Sequence, residues 1–202
     1  TPRGARIRLR KRLPMGGGLG GGSSDAATTL RVLDRLWGTR LGVEALARLG
    51  LELGSDVPVF VRGSSAWGEG RGERLEAHPG LGGWFLVLDP GVAVGTAGIF
   101  QAPELTRNSP VITIRAFSLG RTRNDCEPVV AARHPEVAAA LRWLRAEGLA
   151  EARLSGTGAC LYVHFAEERE ARALAARVPS PWRAHVARGL ERSPLAAMLD
   201  AG

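Results

Sequence analysis

The sequence is poor in cysteine, lysine and aromatic residues, and it has no long apolar run. Two cysteines among 202 residues are too few for a disulfide framework or a four-ligand zinc site, so a reducing, cytoplasmic location is expected. No apolar run approaches the roughly 20 residues that a membrane helix needs. The basic residues at the start are not followed by an apolar core. We therefore predict neither a membrane span nor a signal peptide.

The net charge is +7, and Lys11 is the only lysine, so arginine carries nearly all of the positive charge. The arginines are dispersed among glutamates and alanines, as in residues 167–177, and are not gathered in one run. This dispersion is typical of solvated faces and argues against a nucleic-acid partner. A small anionic ligand such as a nucleotide fits the charge equally well.

The first half of the chain predicts a strand, a glycine-rich loop, two helices and a hairpin. Alternation of apolar and basic residues over 4–12 predicts a half-exposed strand. Helices are predicted from Asp25 to Trp37, capped by Ser23, Ser24 or Asp25, and from Val43 to Leu53. The side chains expected to face inward are Leu30, Leu33, Leu36 and Trp37 on the first helix, and Leu46, Leu49 and Leu53 on the second. Residues 64–75 predict a hairpin with a glycine-rich turn.

The second half predicts a ferredoxin-like order of strands and helices. Residues 79–83 are the best linker candidate, and residues 95–131 are expected to be irregular. The remaining segments are a strand at 84–88, a helix at 135–147 with Val137, Leu141 and Leu144 inward, strands at 152–154 and 159–165, a helix at 167–178 and a strand at 182–187. Read in order, they give β, α, β, β, α, β.

Six of the seven positions from Gly16 to Gly22 are glycine, between a predicted strand and a predicted helix. Glycines let backbone N–H groups approach an anion, and a helix N-terminus adds unpaired donors, so the pattern predicts polyphosphate binding. A plain flexible turn is the alternative. The Rossmann, Walker A and protein-kinase patterns all fail here, because the residues that each requires beyond the glycines are missing. The expected nucleotide-binding residues are Pro14, Met15, Gly16, Gly17, Gly18, Leu19, Gly20, Gly21, Gly22, Ser23 and Ser24.

Three segments of the sequence, in order, resemble the GHMP kinases. Residues 13–27 are similar to the phosphate loop of that family, 53–60 to its catalytic aspartate segment, and 154–160 to its third glycine motif. Residues 124–127 and 193–195 are also similar to one branch. That branch phosphorylates a cytidine-diphosphate-linked methylerythritol in non-mevalonate isoprenoid precursor biosynthesis.

The resemblance implies an α+β, two-domain GHMP kinase fold. The N-terminal, ATP-binding domain over 1–80 has a fold of a type found in ribosomal proteins, and the C-terminal domain over 81–202 is ferredoxin-like. The implied cofactors are ATP and Mg²⁺, and the implied substrate is the methylerythritol derivative, phosphorylated on its 2-hydroxyl. The expected partners include no membrane and no nucleic acid, and the expected state is a monomer or weak homodimer. The family's opening segment, with a Pro-x-Lys-x-Asn-type motif, has no counterpart in residues 1–12, so the chain is expected to lack that segment.

The resemblance also implies roles for individual residues. Asp56 is the expected catalytic base, Phe100 is expected to stack on the cytosine, and Lys11 could approach the nucleotide. The expected substrate-binding loop consists of Ser155, Gly156, Thr157 and Gly158. No metal-ligating residue is assigned, because the four histidines are isolated in the sequence.

Several alternatives stay open. Asp56 could cap a helix, Phe100 could be a core residue, and the loop at 155–158 could be a tight turn. At the level of function, the alternatives are another GHMP kinase with a different alcohol substrate, a catalytically silent nucleotide-binding fragment, and a basic RNA-binding module. RNA affinity that fell steeply with salt would support the last.

Overall fold

The computed structural model describes residues 3–114, 117 and 122–200, which form two compact units. Unit 1 comprises residues 1–11, 20–82 and 190–202, and unit 2 comprises residues 12–19 and 83–189. The boundary after Gly82 falls inside the linker candidate. The division into family domains at 1–80 and 81–202 stays a prediction.

The elements are named here in chain order. The helices are α1 (Gly21–Trp37), α2 (Val43–Leu53), α3 (Val57–Arg62), α4 (Thr96–Phe100), α5 (Cys126–Arg133), α6 (Pro135–Ala146), α7 (Glu168–Ala175) and α8 (Pro194–Asp200). The strands are β1 (Ala66–Glu69), β2 (Arg74–Ala77), β3 (Trp84–Asp89), β4 (Arg153–Leu154), β5 (Leu161–Phe165) and β6 (Arg183–Arg188). No helix among the residues that the structure describes is long and apolar enough to cross a membrane.

Unit 1 is built around the packing of α3 against α1 and α2. Its buried apolar side chains are Ala27, Leu46, Ala47, Val57 and Val61. Gly50 permits this close approach, because a Cβ at that position would lie 2.7 Å from a methyl group of Val57. Strands β1 and β2 form the antiparallel hairpin that the sequence predicts.

Unit 2 contains a four-stranded antiparallel sheet in the order β4-β5-β3-β6. Two strands adjacent in the sheet, β3 and β6, are therefore separated in the chain by helices and by the other two strands. This is the ferredoxin-like arrangement that the sequence predicts. The central strand β3 buries Leu86 and Leu88 in a core that also contains Val137, Leu141 and Leu144 of α6. The predicted inward stripe of α6 is thus confirmed.

The predicted strand over 4–12 is wrong. These residues form no strand, and Ile7 and Leu9 are 62% and 60% exposed. Alternation favours an extended chain, but a strand also needs a neighbour to receive its hydrogen bonds. No strand among the described residues pairs with this segment.

Two predicted helix faces also need correction. Helix α2 has the predicted bounds, but Leu49 and Leu53 are 42% and 65% exposed. The small residues Ala47 and Gly50 face the core beside Leu46, because α3 lies too close for larger side chains. On α1, Leu36 is 64% exposed. The predicted Leu30 does pack against the core, and the inward face of α1 also includes Ala27 and Arg31.

Residues 95–131 are not wholly irregular. They contain α4 and the beginning of α5. The part of this prediction that covers 115, 116 and 118–121 lies outside the described residues. Every other predicted strand and helix of unit 2 is present, with ends shifted by up to three residues.

Candidate functional site

The glycine-rich loop and the loop at 155–158 are hydrogen-bonded to each other within unit 2. The carbonyl of Gly16 accepts from the N–H of Ala159 at 2.8 Å, and that of Gly17 accepts from Cys160 at 3.0 Å. The hydroxyl of Ser155 donates to the carbonyl of Gly18 at 2.8 Å. Two segments that are 137 residues apart in sequence therefore share one backbone network. Gly16 also accepts from the N–H of Val94 at 3.2 Å.

Two of these glycines are required by the close approach of the segments. A Cβ on Gly18 would lie 1.9 Å from the carbonyl oxygen of Ser155, and its φ of +73° is left-handed. A Cβ on Gly17 would lie 2.9 Å from the sulfur of Cys160. Both distances are far shorter than an ordinary contact, so the packing leaves no room for a larger residue.

The sign of φ alternates along the loop, since Gly16, Gly18 and Gly20 have positive values and Gly17 and Leu19 do not. This alternation is typical of an anion-binding nest, in which successive N–H groups converge. Of the other expected loop residues, Met15 is exposed, and Pro14 and Leu19 are half-buried.

Helix α1 begins at Gly21, so the predicted start at Asp25 and the predicted side-chain caps are wrong. Gly20 precedes the helix in the left-handed region, and no side chain caps this end. The first helical bond runs from the N–H of Ser24 to the carbonyl of Gly20 at 2.9 Å. The N–H groups of Gly21, Gly22 and Ser23 therefore have no partner within the helix. Ser23 and Ser24 belong to the first turn.

Lys11 forms an ion pair with Asp25, at 2.5 Å, within unit 1. Both side chains are about one-third exposed, so the pair contributes only modestly to stability. The pair brings a positive side chain beside Asp25, just after the first turn of α1. No bound nucleotide is required to explain the position of Lys11.

Asp56 lies immediately before α3 in unit 1 and is exposed. Its side chain makes no capping hydrogen bond, which argues against the role of helix cap. Phe60, one turn later, lies against Gly20, where a Cβ would be 2.7 Å from its ring. Asp56 is therefore about one helical turn from a residue that contacts the start of α1. The carboxylate is free among the described residues.

Phe100 and the loop at 155–158 are connected through α4. The hydroxyls of Thr96 and Thr157 are 2.9 Å apart. Phe100, at the other end of α4, is 57% exposed, so it is not the core residue of the alternative interpretation. Its carbonyl accepts from Arg107 at 2.7 Å, which fixes the end of the helix. An exposed aromatic ring at the end of a helix is suited to stacking on a flat ligand.

Asn124 and Glu127 are two residues of the site to which the sequence reasoning gave no role. The Nδ2 group of Asn124 donates to the carbonyls of Leu154 and Gly156, at 3.0 and 2.6 Å. Glu127 accepts from the N–H of Leu154 at 2.9 Å. The sequence feature that indicates a role for Asn124 is its position just before a helix, where an asparagine side chain often forms hydrogen bonds with nearby backbone.

Burial keeps both cysteines in the thiol form. Cys160 is fully buried, and this burial, with the nearby Asp89, raises the pKa of its thiol to about 12. Burial and then the charge of Asp125 raise the pKa of Cys126. Cys160 is thus an inert core residue, as the sequence predicts. Among the described residues, no group of three or more His, Cys, Asp or Glu side chains could hold a metal ion.

Comparison with known proteins finds similarity to one family of kinases. The family model for the N-terminal domain of GHMP kinases matches residues 1–64, and the model for the C-terminal domain matches residues 109–184. A solved crystal structure of a 4-(cytidine 5'-diphospho)-2C-methyl-D-erythritol kinase is similar, with a TM-score of 0.75 and 32% identity. The similarity covers 88% of this chain and 68% of that chain.

Three curated relatives carry one name, 4-diphosphocytidyl-2-C-methyl-D-erythritol kinase. The relative from Halorhodospira halophila is 56% identical over 195 residues, which are 95% of this chain and 67% of the relative. Those from Alkalilimnicola ehrlichii and Chromohalobacter salexigens are 54% identical, over 97% and 96% of this chain and 67% of each relative. The chain thus spans about two thirds of each relative's length.

Proposed function

Because the chain belongs to the GHMP kinase family and is therefore an ATP-dependent small-molecule kinase, we propose its acceptor: the 2-hydroxyl of 4-diphosphocytidyl-2-C-methyl-D-erythritol. The observation that carries this proposal is the identity of 54–56% with three kinases that bear this one name. The identity extends over at least 95% of this chain. The reaction would supply a phosphorylated intermediate for isoprenoid precursor biosynthesis, in the cytoplasm.

The residues of the glycine-rich loop fit a polyphosphate. The left-handed φ values of Gly16 and Gly18 alternate with that of Gly17, as in an anion-binding nest, and the first turn of α1 adds three N–H groups without helical partners. Phosphate oxygens accept hydrogen bonds, and the positive end of a helix dipole favours their charge. We therefore assign the ATP phosphates to residues 14–24.

Mg²⁺ belongs to the same proposal. When bound, it neutralises charge on the transferring phosphoryl group. The hydroxyls of Ser23 and Ser24 are hard oxygen donors on the first turn of α1, which suits them to this ion or to a phosphate. Both residues are half-buried.

Asp56 is proposed to accept the proton of the acceptor hydroxyl or to orient that hydroxyl. Its exposed carboxylate makes no capping bond, so it is available to a ligand. Phosphoryl transfer proceeds through a loose transition state that requires little proton removal early in the reaction. An available carboxylate at the start of α3 therefore suits this role.

Phe100 and residues 155–158 are proposed to bind the cytidine end and the remainder of the acceptor. Phe100 offers an exposed ring at the end of α4, and Thr157 is held to the start of that helix. Stacking on the cytosine would distinguish this acceptor from alcohols without a base. The monomeric or weakly dimeric state remains a prediction.

The test is ATP-dependent phosphorylation of 4-diphosphocytidyl-2-C-methyl-D-erythritol by the purified protein, with Asp56→Asn as the matched variant. We expect turnover that is lost in the variant while ATP binding and the unfolding temperature are retained. Turnover of another alcohol in preference to this one would overturn the substrate assignment. Equal turnover by the variant would overturn the role of Asp56.

A further inference from the structure

Asn124 uses its whole side-chain amide to hold one short segment of backbone in unit 2. Its Nδ2 group donates to the carbonyls of Leu154 and Gly156, and its Oδ1 atom accepts from the N–H of Cys126 at 2.9 Å. The amide thus bonds the residues on both sides of Ser155 and also the first residue of α5. Only an amide combines two donors and an acceptor in so short a side chain.

Glu127 provides a second attachment from α5. Its Oε2 atom accepts from the N–H of Leu154 at 2.9 Å, and its Oε1 atom accepts from Arg145 at 2.9 Å. Leu154 is fully enclosed, with 2% of its surface exposed. Its N–H is therefore bonded to a side chain of α5, and its carbonyl is bonded to Asn124, just before that helix. Buried backbone groups held in this way are expensive to move.

The segment that Asn124 holds is in contact with the glycine-rich loop. Ser155 lies between the two carbonyls that accept from Asn124, and its hydroxyl donates to the carbonyl of Gly18. The carbonyl of Ser155 fills the space where a Cβ of Gly18 would lie. A shift of Ser155 would therefore displace Gly18 directly.

We propose that Asn124 is a positioning residue for ATP binding. It is not among the residues proposed to contact ATP or the acceptor. It fixes Ser155 through the backbone on either side, and Ser155 fixes Gly18 in the conformation that the phosphates require. This inference rests on the proposed function, because it assigns a support to the ATP loop of that proposal.

The experiment compares Asn124→Asp, Asn124→Ala and wild-type protein by titration with a fluorescent ATP analogue from pH 5 to pH 8. In Asn124→Asp, carboxylate oxygens replace the amide donors and face two carbonyl oxygens. We expect binding at least tenfold weaker than wild type at pH 8. On acidification, protonation of the new carboxyl restores one donor, so affinity should recover partly in this variant and not in Asn124→Ala.

Asn108→Asp is the matched control. It introduces the same charge at an exposed asparagine, and its affinity should stay within twofold of wild type. If Asn124→Asp does not fold, Ser155→Ala replaces it, since that variant removes only the bond to Gly18. The inference then requires at least threefold weaker binding by Ser155→Ala.

Wild-type affinity in Asn124→Asp, or a loss without recovery at low pH in a folded variant, would overturn the inference. Wild-type affinity in Ser155→Ala would do the same. The proposed function fails separately, if the wild-type protein binds no ATP analogue or transfers no phosphate. The wild-type arm of the titration therefore distinguishes the two failures.

Discussion

Gly18→Ala is the substitution for which the structure predicts the most specific loss. The glycine has a φ of +73°, and a Cβ added to it would lie 1.9 Å from the carbonyl oxygen of Ser155 and 3.0 Å from the nitrogen of Gly158. Both neighbours are backbone atoms, so no side-chain rotation can relieve the contact. The loop must move, and the bond from the Ser155 hydroxyl to the Gly18 carbonyl must lengthen or break.

The expected loss of ATP affinity follows from two contributions to the free energy of the loop conformation. A left-handed conformation costs an L residue about 1–2 kcal/mol, and the lost hydrogen bond is worth about 0.5–1.5 kcal/mol net. Together they disfavour the present loop conformation by about 1.5–3.5 kcal/mol. If ATP binds only that conformation, its affinity falls roughly 10- to 300-fold, since 1.4 kcal/mol is a factor of ten.

The assay is isothermal titration of ATP into Gly18→Ala, with the unfolding temperature measured on the same samples. Gly98→Ala is the control, because a Cβ on that helical glycine would meet nothing within 4 Å. It should leave affinity unchanged and stabilise α4 slightly. Wild-type affinity in a folded Gly18→Ala protein would refute the claim that this loop conformation binds the phosphates.

Three further predictions concern the acceptor, the core and the thiol. Phe100→Leu should raise KM for the cytidine-containing acceptor about 2- to 10-fold through lost stacking while KM for ATP stays constant, as steady-state kinetics would show. Leu86→Ala should lower the free energy of unfolding in urea by about 2–5 kcal/mol, whereas Leu36→Ala, on an exposed position, should change it by less than about 0.5 kcal/mol. Cys160 should resist a thiol reagent in the folded protein at pH 8. Folding raises the pKa of the Cys160 thiol from its ordinary value near 8.5 to about 12, so the folded state holds this proton more tightly than the unfolded state. The contribution of this thiol to stability should therefore decline as the pH rises from about 8.5 toward 12.

The elements that sequence reasoning predicted well are those fixed by local pattern. The bounds of α2 agree with the prediction to the residue, because Gly42 and Gly54 flank it, although two of its leucines predicted to face inward are exposed. The strands of the sheet in unit 2 were predicted from short apolar runs between turn residues. The segment at 4–12 has an equally clear alternation but no neighbouring strand among the described residues, and pattern alone does not supply one.

The sequence predicts the separate segments of the candidate site, but it does not predict the contacts between them. Nothing local in the sequence indicates that Gly18 lies against Ser155, since the two residues are 137 positions apart and meet only in the folded chain. The start of α1 was misjudged for a related reason. Glycines are poor helix formers, so Gly21 and Gly22 were assigned to the loop, whereas Gly20 in the left-handed region lets the helix begin directly after it.

The network around the glycine-rich loop also explains how so flexible a segment can bind an anion. Glycine loses more conformational freedom on ordering than any other residue, so an unsupported loop would lose affinity to that entropy. The hydrogen bonds from Ser155, Ala159 and Cys160 are all accepted by carbonyl oxygens of the loop. A phosphate oxygen is also an acceptor, so it could not bond to these carbonyls. The protein thereby orders the loop through its acceptors and leaves its donors for the ligand. Hydrogen bonds to the loop carbonyls therefore hold a glycine-rich segment in one conformation before the phosphate binds.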